Sequence, residues 1–348
     1  MKIIKKEKFI WENLKRRSPI VLYGMGNGAD KILKLCFEKE IVVSGIFASD
    51  DFIRGHSFHG FTVLPVSKID DYFDNPAVLL CFGSELPDML NRFETIYKKY
   101  DFYAPDVPLF GEKVFDFDFY AENKHEIETV YNLLADEKSK KVYENTINYK
   151  LSGDIGYLHN SFTTKQENAC LLNIESDGLL DIGAYNGDTI EFFIQNAYDF
   201  KRVFAFEPDK KNYEKLLNKF PNAALFNICA WNKEEKLYFE QKKSRNSALS
   251  KYGKTEISGN SVDNIINEEI SLIKVDVEGA EEKAIEGAQK TIEKYEPNMI
   301  ISLYHRSEDV FKLPLLIHKN YPFYKLFIRQ PPYVPCWDLQ LYCVRKSK

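Results

Sequence analysis

Two stretches of this sequence follow the same order of an apolar strand, a glycine-containing loop and a helix. The first, PIVLYGMGNGADKILKLCFEK, has its glycines at Gly24, Gly26 and Gly28. The second, LLDIGAYNGDTIEFF, has them at Gly183 and Gly187. Further apolar runs alternate with helical patterns after each stretch, which is typical of parallel strands joined by crossover helices. The sequence therefore predicts an α/β protein with two parallel sheets.

The chain of 348 residues is long enough for two domains. The first alternating pattern predicts a small Rossmann-like α/β domain over residues 1–110. Residues 111–170 carry apolar side chains at helical spacing without a strand pattern, and they predict a helical linker. The alternation resumes at residue 178, so we expect a larger α/β domain over residues 171–348.

The end of the chain departs from the parallel pattern. FYKLFIRQ and WDLQLYCVR are strand-like segments, and the Pro-rich stretch PPYVP between them leaves no room for a helix. Strands joined by so short a connection pair antiparallel. We expect a parallel sheet that ends in an antiparallel C-terminal hairpin, which is less typical of dinucleotide dehydrogenases.

Charge and composition argue against several classes of protein. The net charge is −5 and the pI about 5.8, so the basic footprint of a nucleic-acid partner is missing. The apolar runs are too short for a membrane span, and the basic N-terminus lacks the apolar stretch of a signal peptide, which predicts a cytoplasmic protein. The six cysteines and six histidines form no CxxC, HxxxH or HExxH spacing, so we expect free thiols and no zinc site.

The second glycine loop suggests the chemistry of a ligand. Ligands of open α/β sheets lie beyond the carboxyl ends of the strands, where Gly183 and Gly187 allow close approach. Asp188 opens the next helix, and a carboxylate there disfavours a bound pyrophosphate. The carboxylates of Asp188 and Asp181 better suit a sulfonium compound that has an amino-acid tail. Glu207, 24 residues after Gly183 at the end of the next strand, is placed to accept both ribose hydroxyls. The residues expected to border an adenine ring follow the third strand: Asn227, Ala230 and Trp231.

Two acids and a histidine mark the later strand ends. SLIKVDVEGAEEKAIEG places Asp276 and Glu278 at and just past the fourth strand, and SLYHRSED places His305 at the carboxyl tip of the fifth. A histidine has the pKa range of a general base. Asp276 or Glu278 would orient His305, act as the base, or hold a divalent cation that lowers the pKa of a hydroxyl. Glu282 and the later acids are interpreted as a solvated helix face.

At DIGAYNGDT, FEPD and KVDVEGAE the sequence resembles the FkbM family of S-adenosylmethionine-dependent methyltransferases. The resemblance covers about residues 170–345 and implies a class I Rossmann-like fold, whose last two strands agree with the C-terminal hairpin. It also implies an O-methyltransferase that acts on hydroxyls of sugars, glycans or natural products. The cofactor would be S-adenosylmethionine. The residues that would hold it are Asp181, Gly183, Tyr185, Asn186, Gly187 and Glu207, and the neighbouring positions Ala184, Asp188, Pro208 and Asp276 complete the expected set.

The first domain is open to more than one interpretation. YGMGNGADK resembles a nucleotide-binding loop, with Asp50 or Asp51 as ribose partners, and the domain resembles the N-terminal domain of acyltransferases that handle nucleotide sugars. It would then help to position a sugar-bearing acceptor. The alternative is a packing or homo-oligomer module. For the whole chain, the competing functions are an NAD(P)-linked oxidoreductase and a non-catalytic nucleotide-sugar-binding protein.

Overall fold

A computed structural model describes residues 1–346 apart from 54, 56, 173–177, 197, 199, 241–247 and 250–254. Its first half is built on a six-stranded sheet in which β1, β2, β4, β5 and β6 run parallel and β3 is antiparallel to β4. The order across the sheet is β3-β4-β2-β1-β5-β6. Its strands are β1 (Ile20–Tyr23), β2 (Gly45–Ala48), β3 (Ser57–Phe58), β4 (Phe61–Pro65), β5 (Ala77–Leu80) and β6 (Asp101–Tyr103).

The second half contains the remaining strands: β7 (Gly178–Ile182), β8 (Arg202–Phe206), β9 (Ala224–Phe226), β10 (Cys229–Ala230), β11 (Glu235–Glu240), β12 (Ala248–Leu249), β13 (Thr255–Asn260), β14 (Leu272–Val275), β15 (Asn298–Ser302), β16 (Tyr324–Arg329) and β17 (Gln340–Arg345). Seven of them form a sheet of order β16-β17-β15-β14-β7-β8-β9. Only β17 runs opposite to the other strands, so it pairs antiparallel with both of its neighbours, β15 and β16. This arrangement confirms the predicted α/β fold with a C-terminal hairpin. The other four form a small sheet of order β10-β13-β11-β12.

Fifteen α-helices lie among the described residues. They are α1 (Ile10–Leu14), α2 (Asn27–Glu38), α3 (Ile69–Tyr72), α4 (Pro87–Lys99), α5 (Phe117–Glu122), α6 (Lys124–Leu133), α7 (Glu137–Ser152), α8 (Gly156–His159), α9 (Lys165–Ala169), α10 (Asp188–Gln195), α11 (Lys210–Lys219), α12 (Val262–Ile265), α13 (Glu281–Glu286), α14 (Gln289–Tyr295) and α15 (Asp309–Asn320). None of these helices combines the length and the apolar character that a membrane crossing requires.

The helices between the two large sheets are part of one continuous core. A single buried apolar cluster includes Val21 of β1, Ile147 of α7 and Ile301 of β15. The buried ion pair of Lys150 and Asp106, 2.9 Å apart, ties α7 to the segment that follows β6. The helices thus pack against both sheets rather than act as a free spacer, while the domain limits themselves stay a prediction.

The segment from Glu281 to Tyr295 forms two helices, α13 and α14. Gly287 lies between them, and a Cβ there would lie 1.9 Å from the carbonyl oxygen of Trp231. Ser261 stands at the N-terminus of α12, but its side chain makes no capping hydrogen bond.

Candidate active site

The second glycine loop packs directly against the neighbouring strand ends. Gly183, with φ +84°, donates its N–H to the Phe206 carbonyl at 2.9 Å. A Cβ at this position would lie 1.9 Å from the carbonyl oxygen of Asp276. Gly187, with φ +76°, begins α10, and a Cβ there would lie 2.3 Å from the ring of Phe220. These two positions require glycine because both the backbone conformation and the space exclude a side chain.

A cavity of about 520 Å³ opens at the carboxyl ends of β7, β8 and β14. It brings together most of the residues predicted from the sequence. Those that line it are Gly183, Tyr185, Asn186, Asp188, Glu207, Pro208, Ala230, Asp276 and Glu278. The predicted residues that do not line it are Asp181, Ala184, Gly187, Asn227, Trp231 and His305.

Glu207 immediately follows β8, and backbone amides fix its carboxylate. It is 6% exposed, and its two oxygens accept hydrogen bonds from Tyr185 N at 2.7 Å and Asp209 N at 2.8 Å. Burial raises its pKa to about 7, although these amides oppose the rise. Each carboxylate oxygen has a further lone pair, so Glu207 retains the capacity to accept hydroxyl donors. Asn227 supports this corner by donating to the carbonyls of Glu207 and Pro208.

A buried lysine, which the sequence analysis missed, links two of the predicted acids. Lys274 Nζ lies 3.3 Å from Asp276 Oδ2 and 3.7 Å from Asp181 Oδ1. Asp181 is fully buried, and neither of its oxygens has a hydrogen-bond partner in the described part of the chain. Burial raises the pKa of Asp181 to about 6 against the opposing charge of Lys274. The signal was a lysine inside an apolar strand, where a charge needs a partner.

His305 lies behind the cavity and contacts three carboxylates. It is fully buried; Nδ1 lies 2.8 Å from Glu281 Oε1, and Nε2 lies 3.4 Å from Asp276 Oδ1 and 3.5 Å from Glu278 Oε2. Burial opposes the charged imidazolium, but Glu281, Glu278 and Asp276 outweigh it and raise the pKa of His305 to about 10. The imidazolium is therefore the stable form at neutral pH.

Glu281 is a second residue that sequence reasoning missed. It is 1% exposed at the start of α13, and its Oε1 also accepts a hydrogen bond from Val277 N at 3.0 Å. The neighbouring Glu282 is exposed, as expected for a solvated face. A glutamate in the first helical turn that accepts a backbone N–H is a known N-terminal pattern, and the doublet Glu281–Glu282 offered that signal.

Asp276 and Glu278 differ in charge state although both face the cavity. Burial disfavours ionised Asp276, but Lys274 and His305 outweigh it and lower its pKa; the Tyr304 hydroxyl also donates to its two oxygens at 3.2 and 3.3 Å. Burial raises the pKa of Glu278 to about 7, with His305 opposing. Glu278 has φ +55°, an uncommon conformation for a residue other than glycine. Asp276 is thus a fixed charge, and Glu278 can exchange a proton near neutral pH.

The ligand atoms of Asp276, Glu281 and His305 all lie within 4.8 Å of one another, close enough for a metal ion to bridge. Glu281 already accepts hydrogen bonds from the imidazole and from a backbone amide. Asp276 is paired with Lys274 and Tyr304. We interpret the cluster as an internal ion-pair network whose charges are matched by its own side chains.

The cavity also has a wall that the sequence analysis did not predict. It is formed by Glu85, Lys165, Tyr333, Trp337 and Asp338, which we call the second wall. These residues are far apart in the sequence and meet only through the packing of the first sheet against the C-terminal hairpin. PPYVP and WDLQLYCVR, which contain Tyr333, Trp337 and Asp338, indicate a hairpin rather than a site in the sequence.

Comparison with known proteins agrees with this architecture. Residues 181–324 match the family model described as Methyltransferase FkbM domain. The chain is similar to a solved methyltransferase FkbM from Methylobacillus flagellatus KT, with a TM-score of 0.73 at 18% identity over 97% of this chain and 95% of that chain. A putative rRNA-methylase from Clostridium thermocellum aligns with a TM-score of 0.34 at 14% identity, over 56% of this chain and 96% of that chain. No curated protein matches the sequence.

The family match begins at Asp181 and ends at Tyr324, so it includes the ends of β7, β8, β14 and β15 that surround the cavity. The likeness to the Methylobacillus flagellatus structure extends the shared fold over both large sheets. Residues 181–324 of this chain therefore match the FkbM methyltransferase domain, and we identify the protein as an S-adenosylmethionine-dependent methyltransferase.

Proposed function

We propose that this enzyme methylates a hydroxyl oxygen of a sugar or glycan precursor in the cavity at the carboxyl ends of β7, β8 and β14. The observation that carries the proposal is that one cavity is lined both by the glycine loop with Glu207 and by the carboxylate pair Asp276 and Glu278. The sugar class follows the resemblance to the FkbM family. The cytoplasmic location and a homo-oligomer stay predictions.

The residues around the glycine loop fit S-adenosylmethionine. Gly183 lets the loop lie against the Asp276 backbone at the edge of the cavity, and the buried oxygens of Asp181 lack hydrogen-bond partners among the described residues. We assign the ribose hydroxyls to Glu207, the adenine border to Pro208 and Ala230 with Asn227 behind them, and the amino-acid tail to the loop. The loop residues so assigned are those that line the cavity, Gly183, Tyr185, Asn186 and Asp188. Ala184 and Gly187 shape the backbone of the loop. When bound, S-adenosylmethionine supplies an electrophilic methyl group on a sulfonium.

Glu278 is the proton acceptor in this proposal. A sugar hydroxyl is a weak nucleophile and needs a base as it attacks, and a base whose pKa lies near the working pH is efficient. The carboxylate of Glu278 faces the cavity, and its pKa is about 7. His305 lies behind it as a cation whose position is fixed by Glu281. His305 thus acts as a positioning residue that favours the ionised form of Glu278.

Asp276 contributes a permanent negative charge to the same wall. Lys274, His305 and the Tyr304 hydroxyl all favour its carboxylate form. Its role in the proposal is to orient the acceptor hydroxyl by accepting a hydrogen bond, while Glu278 takes the proton. The two carboxylates would then have separate tasks that are set by their different neighbours.

The test is transfer of isotope-labelled methyl from S-adenosylmethionine to a panel of glycosides, with the products analysed for O-methyl groups. We expect label on a sugar oxygen and an unchanged rate in the presence of a chelator. Label on nitrogen, sulfur or carbon atoms alone would contradict the hydroxyl assignment. Loss of activity with the chelator and recovery with a divalent cation would replace the ion-pair interpretation of Asp276 and His305 by metal ligation.

A further inference from the structure

The second wall is built jointly by the two halves of the molecule. Glu85 lies in the loop that follows β5, Lys165 lies in α9, and the other three residues lie in the loop between β16 and β17. Two backbone hydrogen bonds join these loops, from Ser84 N to the Val334 carbonyl at 2.9 Å and from Val334 N to the Ser84 carbonyl at 3.1 Å. The first sheet therefore reaches the methyltransferase cavity through its own strand-end loop.

Two aromatic rings on this wall are held in place by a glycine of the first sheet's loop. A Cβ at Gly83 would lie 2.5 Å from Trp337 Cε3 and 2.8 Å from Tyr333 Cε1. The two rings have centroids 6.4 Å apart and planes inclined by 44°. Because they contact backbone on one side and line the cavity on another, they present a fixed apolar surface to a ligand.

The charges of the second wall suit a neutral ligand. Lys165 Nζ lies 3.7 Å from Glu85 Oε2, so the cation of this wall is already paired. Asp338 accepts a hydrogen bond from Gln340 Nε2 at 2.7 Å. Burial raises the pKa of Asp338 to about 7, so this carboxyl group adds little fixed charge at neutral pH. With Lys165 paired, the wall offers no unpaired cation to a phosphate or an acid, whereas the oxygens of Glu85 and Asp338 can form hydrogen bonds with hydroxyls.

The second wall lines the same cavity as the proposed proton acceptor, Glu278. The charges of Asp276 and Glu85 both act on Asp338, and those of Asp276, Asp338 and Glu278 all act on Tyr304. Asp338 is thus an electrostatic neighbour of Asp276 on one side and of Glu85 on the other. A ligand held by the second wall would have its edge beside the carboxylate pair.

We propose that the second wall is the subsite for a neutral, polyhydroxylated sugar ring. The rings of Tyr333 and Trp337 would cover its apolar C–H face, while Glu85 and Asp338 would accept hydrogen bonds from its hydroxyls. The proposal rests on the proposed function for what happens to one of those hydroxyls. It also gives the first half of the chain a role in acceptor recognition through Glu85 rather than through its own glycine loop.

The experiment measures binding of neutral methyl glycosides of glucose, galactose, mannose and rhamnose to the full chain by saturation-transfer NMR. Glucuronate and glucose 6-phosphate serve as anionic counterparts. We expect at least one neutral glycoside to bind, and the anionic sugars to bind about tenfold more weakly or not at all. Glu85→Gln should weaken the bound glycoside about tenfold, the typical effect of losing a charged hydrogen-bond acceptor. Glu122→Gln, an exposed carboxylate outside the cavity, should leave binding unchanged.

The aromatic contribution is tested with two variants, because Trp337 also packs on Gly83. Trp337→Ala should abolish glycoside binding, and Trp337→Phe, which keeps a ring, should retain most of it. Binding that is confined to the anionic sugars, absent for all neutral ones, or unaffected by both Glu85→Gln and Trp337→Ala would overturn the subsite.

Calorimetry with S-adenosylmethionine on the same samples separates the two proposals. If the wild type binds S-adenosylmethionine but none of the neutral glycosides, the subsite fails and the proposed function stands. If the glycosides bind but S-adenosylmethionine does not, the proposed function fails and the subsite stands.

Discussion

The two glycine loops of this chain are built alike but have different surroundings. Gly24 N donates to the Phe47 carbonyl at 2.7 Å, as Gly183 N donates to the Phe206 carbonyl at 2.9 Å. A Cβ at Gly28 would lie 2.0 Å from the carbonyl of Cys81, the counterpart of the 1.9 Å approach at Gly183. Both loops therefore serve the close packing of a strand, a helix and the next strand.

The two loops differ in the residues that follow the neighbouring strand. In the second half, the strand beside the loop ends in Glu207, which is buried and lines the cavity. In the first half, the corresponding strand is followed by Ser49, bonded to the Tyr23 hydroxyl at 2.7 Å, and then by the exposed Asp50, which accepts from Ser67 N at 3.3 Å. A glycine loop alone specifies packing; carboxylates that face a shared cavity are what indicate a ligand.

Substitution of Glu278, which has no counterpart in the first half, should have the largest effect on turnover. Glu278→Gln should lower kcat roughly 10²–10⁴-fold, because the variant cannot accept the hydroxyl proton. S-adenosylmethionine affinity, measured by calorimetry, should change little. Glu282→Gln, an exposed carboxylate of α13 that does not line the cavity, is the matched control and should keep full activity. Normal turnover in Glu278→Gln would remove this residue from the chemistry.

Alanine at one closely packed glycine of each loop should show whether the loop contributes to stability alone or also to ligand binding. Gly28→Ala and Gly183→Ala should each destabilise the protein by about 1–3 kcal/mol through overpacking, as measured by denaturant unfolding. Gly183→Ala should also weaken S-adenosylmethionine binding by at least roughly tenfold, because the loop must move from the cavity wall; each 1.4 kcal/mol is a factor of ten. An equal loss of affinity in Gly28→Ala would show that the first loop also contributes to cofactor binding.

The pH dependence of the rate should distinguish Glu278 from His305. Since the carboxylate form of Glu278 is the active one, the rate should rise through its pKa of about 7 and then level off. In His305→Gln the rise should move to higher pH, because the imidazolium lowers the pKa of Glu278. A wild-type rate that keeps rising to about pH 10, the pKa of His305, would instead make the imidazole the base.

The smallest effect is expected at the strand end of the first half. Asp50→Asn should change both S-adenosylmethionine affinity and turnover by less than about twofold, since surface substitutions are usually close to neutral. A larger loss of activity would indicate that a ligand also binds at the first glycine loop, as the sequence pattern alone suggested.

The strand ends could be predicted from the sequence, but their electrostatics could not. Apolar runs that alternate with helical patterns identify the strands, and the parallel topology brings Glu207, Asp276 and His305 to one edge of the sheet. Whether His305 faces the cavity or three carboxylates depends on side-chain directions that no pattern encodes. The same holds for Lys274, whose partners Asp181 and Asp276 lie on two different strands.

The second wall could not be predicted from the sequence for a different reason. Glu85 and Trp337 meet because Gly83 and Val334 bring two distant loops into contact. Such contacts are tertiary, and neither loop has a composition that singles it out. Gly83, which follows β5, is visible in the sequence, but only the structure shows that the ring of Trp337 packs on it.

Calorimetric titration of S-adenosylmethionine into the wild type and Glu207→Ala tests the central claim most directly. The wild type should bind at one site. The variant should bind roughly ten- to a hundredfold more weakly, since a hydrogen bond to a charged acceptor contributes ~1.5–3 kcal/mol. A folded Glu207→Ala with unchanged affinity would contradict the assignment of the ribose site, and a wild type that fails to bind at millimolar ligand would contradict the account as a whole.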